Sequence, residues 1–342
     1  MSTQSLLRGQ TPRAGPGARG IAQLGKDECR RHVAMTLACV DVGKLYKEVH
    51  GEEPKSLVSD VARGVGDRFE RELLDYGAKR LLDLYSKELA GVQTEVLRTG
   101  PAKGDSEENL AAAARRTTEM VLSRAKDQAG ACLILWSALP LPFGTEATWV
   151  RPDYLLGLPG KGLVIGEIKS YLDRSSRTDP HELGSACHQA AVGMVALAEL
   201  YRTHGIDPAL VGNEAHIVMR HSSKVGASLR RMGVAAELDA VRAQLDDVPN
   251  IVSQVSDAID GRPLVEAVTS VPNHWSPDCA ALCPFDEQCR PADPARVLLD
   301  QEAAQAGIGP GRLAALASGS GPDSPEEADL AEAMAAIDKV IG

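Results

Sequence analysis

Three residues define the first chemistry this sequence could perform: Asp153, Glu167 and Lys169. Asp153 ends the run Arg151-Pro152-Asp153, and Glu167-Ile168-Lys169 follows the apolar run Leu163-Val164-Ile165. Between them lies Leu158-Pro159-Gly160-Lys161-Gly162, a turn by composition. In a strand, residues i and i+2 project from one face. Glu167 and Lys169 therefore point together while Ile168 points to the core, and a hairpin over the turn returns Asp153 to the side of Glu167. Two carboxylates and one ammonium then converge. Hard divalent cations such as Mg²⁺ or Mn²⁺ take carboxylate oxygens and keep several waters. A cation held this way activates a water and offsets transition-state charge, and a neighbouring lysine orients that water. The expected chemistry is phosphodiester hydrolysis. Glu-X-Lys also occurs on ordinary exposed strand pairs, and only the apolar run and the upstream Asp153 separate this instance from those.

A second set is made of thiols. Cys279, Cys283 and Cys289 have the spacing C-x₃-C-x₅-C in a loop that also holds Pro277, Pro284 and Pro291. Far upstream, Cys29 precedes Arg30-Arg31. Thiolates in such a loop favour iron–sulfur or zinc, with His274 a substitute ligand in the zinc case. Cys39 and Cys132 read as buried hydrophobes, and Cys187 and His188 as helix-packing residues.

The elements that must position these groups follow from periodicity. Helical patterns cover about 26–42, 56–90 (with Val58, Val61, Val65, Phe69, Leu73 and Leu74 on one set of positions), 110–128, 180–204 and 226–260. Short apolar runs predict strands at 131–136, 148–156, 163–169 and 214–219. Helices around a small sheet give an α/β or α+β core. Residues 1–26, rich in Gly, Pro, Gln and Arg, read as a disordered arm. Residues 301–342 read as an acidic helical tail that could recruit a protein partner. Within the tail, Ala306 to Leu313 has the composition of a helix-hairpin-helix turn, whose amides bind a DNA phosphate. It equally has that of a glycine cap followed by a proline helix start.

The whole composition permits this. The 342 residues, 44% hydrophobic and 25% charged, can bury a sizeable core, one large domain or two ordinary ones. With aromatics at 4%, aliphatic side chains must fill it. The net charge of −10 argues against a nucleic-acid partner until its distribution is read. From Val234 onward there are 19 acidic and 6 basic side chains, whereas the first 233 residues hold 28 and 31. A mildly basic front part could face phosphates. Residues 1–26 contain no apolar stretch of a signal peptide, and no run reaches the roughly 20 apolar residues that span a bilayer. The expectation is a soluble, cytoplasmic protein with reduced cysteines and no membrane partner.

Together these motifs resemble PD-(D/E)XK nucleases, and within them the RecB-like branch that carries an iron–sulfur cluster, with its CRISPR-associated and AddB-type members. The resemblance runs from residue 29 to about 290. It implies a restriction-endonuclease-like core, a domain over residues 27–300, and Mg²⁺- or Mn²⁺-dependent cleavage of single-stranded DNA or DNA ends in repair, recombination or defence. It implies Asp153 and Glu167 as metal ligands and Lys169 as the water-orienting group. Glu70 would be a third ligand, because it stands four residues after the helical Gly66. Gln189 on the following helix would complete the site, although the tyrosine expected four residues later is Gly193 here. It also makes Cys29, Cys279, Cys283 and Cys289 the ligands of one 4Fe-4S cluster, with Zn²⁺ as the alternative.

Overall fold

The structure is a computed structural model. It describes residues 2–341 except 12, 14–15, 25–28, 55–59, 101–105, 127–129, 222–225, 276–278, 280–282, 294–296, 298, 301–302 and 305. The start of the helix expected from residue 26, Val58 and Pro277 thus lie outside the described residues. The chain forms two units, Met1–Asn273 and His274–Gly342. The boundary between the two units falls ahead of the cysteine segment.

The first unit begins with four helices: α1 (Thr3–Arg8), α2 (Gly17–Leu24), α3 (Arg30–Leu37) and α4 (Val42–His50). Local chemistry sets their ends. The Ser2 hydroxyl accepts from Ser5 N–H at the start of α1, Asp41 caps α4, and Gly51 at φ 76° ends α4. Then come α5 (Asp60–Asp83), β1 (Thr94–Arg98), α6 (Glu107–Lys126), β2 (Ala131–Leu135), β3 (Leu139–Phe143), β4 (Glu146–Val150), β5 (Tyr154–Gly157) and β6 (Leu163–Asp173). Helix α7 (Pro180–Thr203) follows, capped by Asp179 with proline in its first turn. Strands β7 (Glu214–His221) and β8 (Ala227–Gly233) and helices α8 (Ala235–Ala258) and α9 (Leu264–Ala267) complete the unit.

Six strands make one mixed sheet in the order β1-β2-β5-β6-β7-β8. Pairs β1–β2 and β6–β7 are parallel, and the others antiparallel. Strands β3 and β4 form a separate antiparallel pair. One face of the sheet (Leu133, Leu135, Tyr154, Leu156, Val218) packs on Phe69, Leu73, Leu74 and Leu81 of α5 and on Tyr85. The other face receives α7. A Cβ added at Gly193 would stand 3.3 Å from Ile165 of β6, so the helix seats directly on that strand. Helix α7 also packs on α2, α8 and β3, which explains why it is apolar around most of its circumference.

The structure departs from the sequence reading in several places. The run at 148–156 is two strands in two sheets, divided at Arg151-Pro152-Asp153. Residues 227–233, expected at the start of a helix, form edge strand β8, and α8 begins only after them. Strand β1 lies just beyond the end of α5, where no strand was expected. Strand β3 carries Pro140 and Pro142, which demote a strand by sequence but are tolerated in a two-stranded hairpin.

The N-terminal 26 residues, expected as a disordered arm, contain two helices where they are described. Leu7 and Ile21 are fully buried. The Gln4 amide donates to the carbonyls of Leu37 and Phe143, each at 3.2 Å, and its oxygen accepts from Thr145 N–H at 2.8 Å. Arg8 pairs with Glu146 at 2.6 Å. Helices of six and eight residues on either side of a Gly-Pro run are too short to leave a readable repeat.

The second unit contains α10 (Asp286–Cys289), α11 (Pro310–Ala317) and α12 (Pro325–Ile341). Ala303, Leu313, Leu316 and Leu330 form its small core. Gly307 has φ 74° and Pro310 opens α11, the arrangement of a glycine cap and a proline start. Arg312 of this turn is bound to Glu327 and to the Gly321 carbonyl. Among the described residues, no helix is long and apolar enough to cross a membrane.

Candidate active site

The hairpin β5–β6 sets the site. Tyr154 pairs with Gly166, so the next pair outward is Asp153 and Glu167. Asp153 is fixed by an Ile168 N–H that donates to its Oδ2 at 2.6 Å. Ile168 itself turns to the α5 face and packs in the core there, as strand alternation requires. Glu167 and Lys169 share the opposite face, and Lys169 Nζ donates to Glu167 Oε2 at 2.7 Å. From α7, Gln189 Oε1 accepts a second hydrogen bond from Lys169 Nζ at 2.9 Å, and Gln189 Nε2 donates to Ser185 Oγ one turn earlier at 3.3 Å. The pairing of β6 with β7 shifts register just after Lys169, and such irregularities are common beside active sites.

The surroundings of this group are dry, with Glu167 only 4% exposed. Burial pushes its carboxyl up to about 7; Lys169 opposes the rise and Asp153 adds to it. Asp153 is also raised by burial, against the pull of Lys169 and of the Ile168 N–H. Burial alone would lower Lys169, but the carboxyls of Glu167 and Asp153 outweigh it and hold the ammonium charged. Two adjacent acids in a dry setting favour a bound cation or a shared proton.

Four of the five expected residues are thus joined: Asp153, Glu167, Lys169 and Gln189. Glu70 is not among them: its helix α5 packs on the face of β6 that carries Ile168, opposite the one shared by Glu167 and Lys169. Helix α5 packs on β6, a Cβ at Gly66 would lie 3.6 Å from Ser170 Oγ, and Glu70 is half-buried one turn further on. Among the described residues, no three Asp, Glu, His or Cys side chains are grouped as a ready metal site. Asp153 and Glu167 are therefore a pair, and Glu70 is not drawn in with them. Position 193 lacks a side chain because the contact with Ile165 leaves little space for one.

Sequence reasoning missed what lies behind the site. A Cβ at Gly166 would overlap the ring of Tyr154, which occupies the place of the missing side chain. Tyr154 is fully buried, and its hydroxyl meets that of Tyr85 at 2.7 Å; Tyr85 in turn meets His216 Nδ1 at 2.8 Å. Burial lowers the His216 pKa, and its Nε2 lies 3.1 Å from Glu214 Oε1 at the surface. A neutral imidazole that donates from Nε2 and accepts at Nδ1 satisfies the whole chain. The available signal was Gly166 itself, since an interior strand glycine marks a close approach.

The thiols fall into two groups. No cysteine forms a disulfide. Cys39, Cys132 and Cys187 are buried, and burial raises each thiol pKa, to about 11 for Cys39 and Cys187. Cys29 is also buried and belongs to the first unit, whereas Cys279, Cys283 and Cys289 belong to the second and are half-buried. Cys283 N–H donates to the Cys279 carbonyl, one helical turn apart. Around them, Trp275 Nε1 donates to the buried Asp286 at 2.7 Å, and Arg290 pairs with the same carboxylate.

No protein-family model matches the chain, and no curated protein matches it either.

Proposed function

We propose that this chain is a divalent-cation-dependent nuclease of the PD-(D/E)XK class acting on DNA, in the manner of the RecB-like enzymes its motifs resemble. The observation that carries the reading is the bonded set Asp153, Glu167, Lys169 and Gln189 on one strand pair and the helix that crosses it. The sheet is consistent with it: β5 and β6 lie at its centre, β2 pairs antiparallel with β5, and β7, which follows α7, runs parallel to β6. A small mixed sheet flanked by helices is what the resemblance implies.

The donor set fits a hard cation, because Asp153 and Glu167 offer carboxylate oxygens side by side in dry surroundings. When bound there, Mg²⁺ or Mn²⁺ would supply an activated water and charge compensation. The resemblance adds Glu70 as a third ligand. Lys169 has three N–H donors; Glu167 and Gln189 take two. The third is left for a phosphate oxygen or the attacking water. Gln189, held by Ser185, fixes the direction in which that donor points. Half-buried thiols at 279, 283 and 289 are suitable ligands for iron–sulfur or zinc, with Cys29 the fourth by resemblance.

The test is cleavage of end-labelled single-stranded DNA by the purified chain with Mn²⁺. Wild type should cleave, and Lys169→Ala should lose cleavage by at least about 100-fold, the scale of a group acting on the transition state. DNA binding without cleavage by the wild type would leave only a DNA-end-binding protein. Full activity in Lys169→Ala would remove the Glu-X-Lys assignment.

A further inference from the structure

We propose that Tyr85 and His216 are positioning residues of this site: joined to Tyr154 behind the sheet, they set the spacing of Asp153 and Glu167 and with it the affinity of that pair for a divalent cation; this rests on the nuclease reading above. The first observation is register. Tyr154 of β5, Gly166 of β6 and His216 of β7 stand side by side in one row across the sheet. Asp153 and Glu167 are the chain neighbours of two members of that row. Tyr154 is the first residue of β5, so Asp153 lies just beyond the paired part of its strand. Its place is therefore transmitted through Tyr154 as well as through the Ile168 N–H.

The second observation is a bridge over that row. Its middle has no side chain, and the Tyr154 ring lies over Gly166, where an added Cβ would stand 1.9 Å from it. Tyr85, in the turns after α5, reaches both ends of the row. Its hydroxyl is 2.7 Å from that of Tyr154 and 2.8 Å from His216 Nδ1, and its ring stacks on the imidazole with centroids 5.5 Å apart. Tyr85, Tyr154 and His216 are each at most 1% exposed. Polar atoms are costly to bury, and every one in this bridge is used. Phenylalanine at 85 and 154 would fill the same space in this apolar core without that cost. A satisfied buried polar chain instead selects one arrangement of the parts it joins. Here the parts are β5 and β7, and what is selected is how they sit across β6. The two tyrosines belong to the core on the α5 face, opposite Glu167 and Lys169, so the bridge acts on the carboxylates through the strands and not by contact with a bound cation.

The experiment compares wild type, Tyr85→Phe, Tyr154→Phe, His216→Asn and the core variant Val241→Ala as full chains. Mn²⁺ binding is read directly from the fall of the free-ion electron paramagnetic resonance signal, and the binding lost in Asp153→Asn defines the share held at this site. Tyr85→Phe should weaken that binding roughly tenfold, the lower end of what loss of a supporting partner costs a metal site. Affinity for a single-stranded oligonucleotide without added divalent cation should change by less than about twofold, and cleavage should recover toward wild type as Mn²⁺ is raised. Tyr154→Phe should behave alike. His216→Asn, whose amide oxygen still accepts from Tyr85, should stay closer to wild type; it and Tyr154→Phe carry the test should Tyr85→Phe fail to fold. Val241 is fully buried on α8, and Val241→Ala should lower the melting temperature yet keep wild-type Mn²⁺ affinity. Tyrosine variants that bind Mn²⁺ as wild type does, or a Val241→Ala that weakens binding as much as they do, overturn the proposal. A wild type that neither holds Mn²⁺ at Asp153 nor cleaves DNA overturns the nuclease reading, and the proposal with it.

Discussion

Asp153 shows how a single carboxylate is both aimed and made costly. Its Oδ2 is pinned by the Ile168 amide, and it lies against Glu167. An asparagine keeps that hydrogen bond and shape but gives up the charge that holds a hard cation. Asp153→Asn should therefore raise the Mn²⁺ concentration needed for half-maximal activity by at least about tenfold, while oligonucleotide affinity changes by less than about threefold. A titration of Mn²⁺ against activity, with binding measured alongside, checks both halves; an unchanged metal dependence excludes the aspartate as a ligand. This part of the site was legible because strand alternation and one turn are local rules. Gln189 was legible by resemblance only, and its support by Ser185 follows from helical geometry.

At the level of elements, β6 is fastened by more than its ladder hydrogen bonds. At its far end Asp173 receives Arg230 and Ser228 from β8 and the Ser175 amide from the following turn. Burial alone would raise its pKa, but these partners hold it down to about 2, below the ordinary 3.8. Because the folded value is depressed, the stabilisation is complete above about pH 4 and is lost as pH falls toward 2. Asp173→Asn should lower the melting temperature at pH 7, and its deficit against wild type should shrink across that acid window. A deficit that stays constant would mean the loss is not ionic. Near the middle of β6, Gly166→Ala must displace the Tyr154 ring, and overpacking of this kind costs about 1–3 kcal/mol or more. Denaturant unfolding should show that loss, and Gly162→Ala at the turn would not be a suitable control because Leu210 crowds it as well. The helices and central strands were readable from period, whereas β8 was not. Its sequence ASLRRMG alternates apolar and polar only over Ala227 to Arg230, too short to stand out from the helical pattern that follows, and it is a strand because β7 offers it an edge.

On the scale of the whole chain, the seven cysteines divide by unit as well as by burial. If one cluster uses Cys29 with Cys279, Cys283 and Cys289, each of the four alanine variants should lose iron or zinc and soluble yield, because metal binding then contributes to folding. Cys39→Ala and Cys132→Ala should keep the metal and lose only core packing. Metal analysis of the six variants decides it; a Cys29→Ala that keeps its metal makes the centre local to the second unit, with His274 the natural fourth ligand to zinc. The clasp on α1 has a different consequence, which concerns the order of synthesis. Gln4 bonds to Phe143, 139 positions later in the chain. At about 5–20 residues per second, a ribosome makes that partner roughly 7–28 seconds after the first helix has been assembled. Throughout that interval Leu7 and Ile21 have no hairpin or α7 to cover them, and the nascent chain offers them to whatever waits at the exit tunnel.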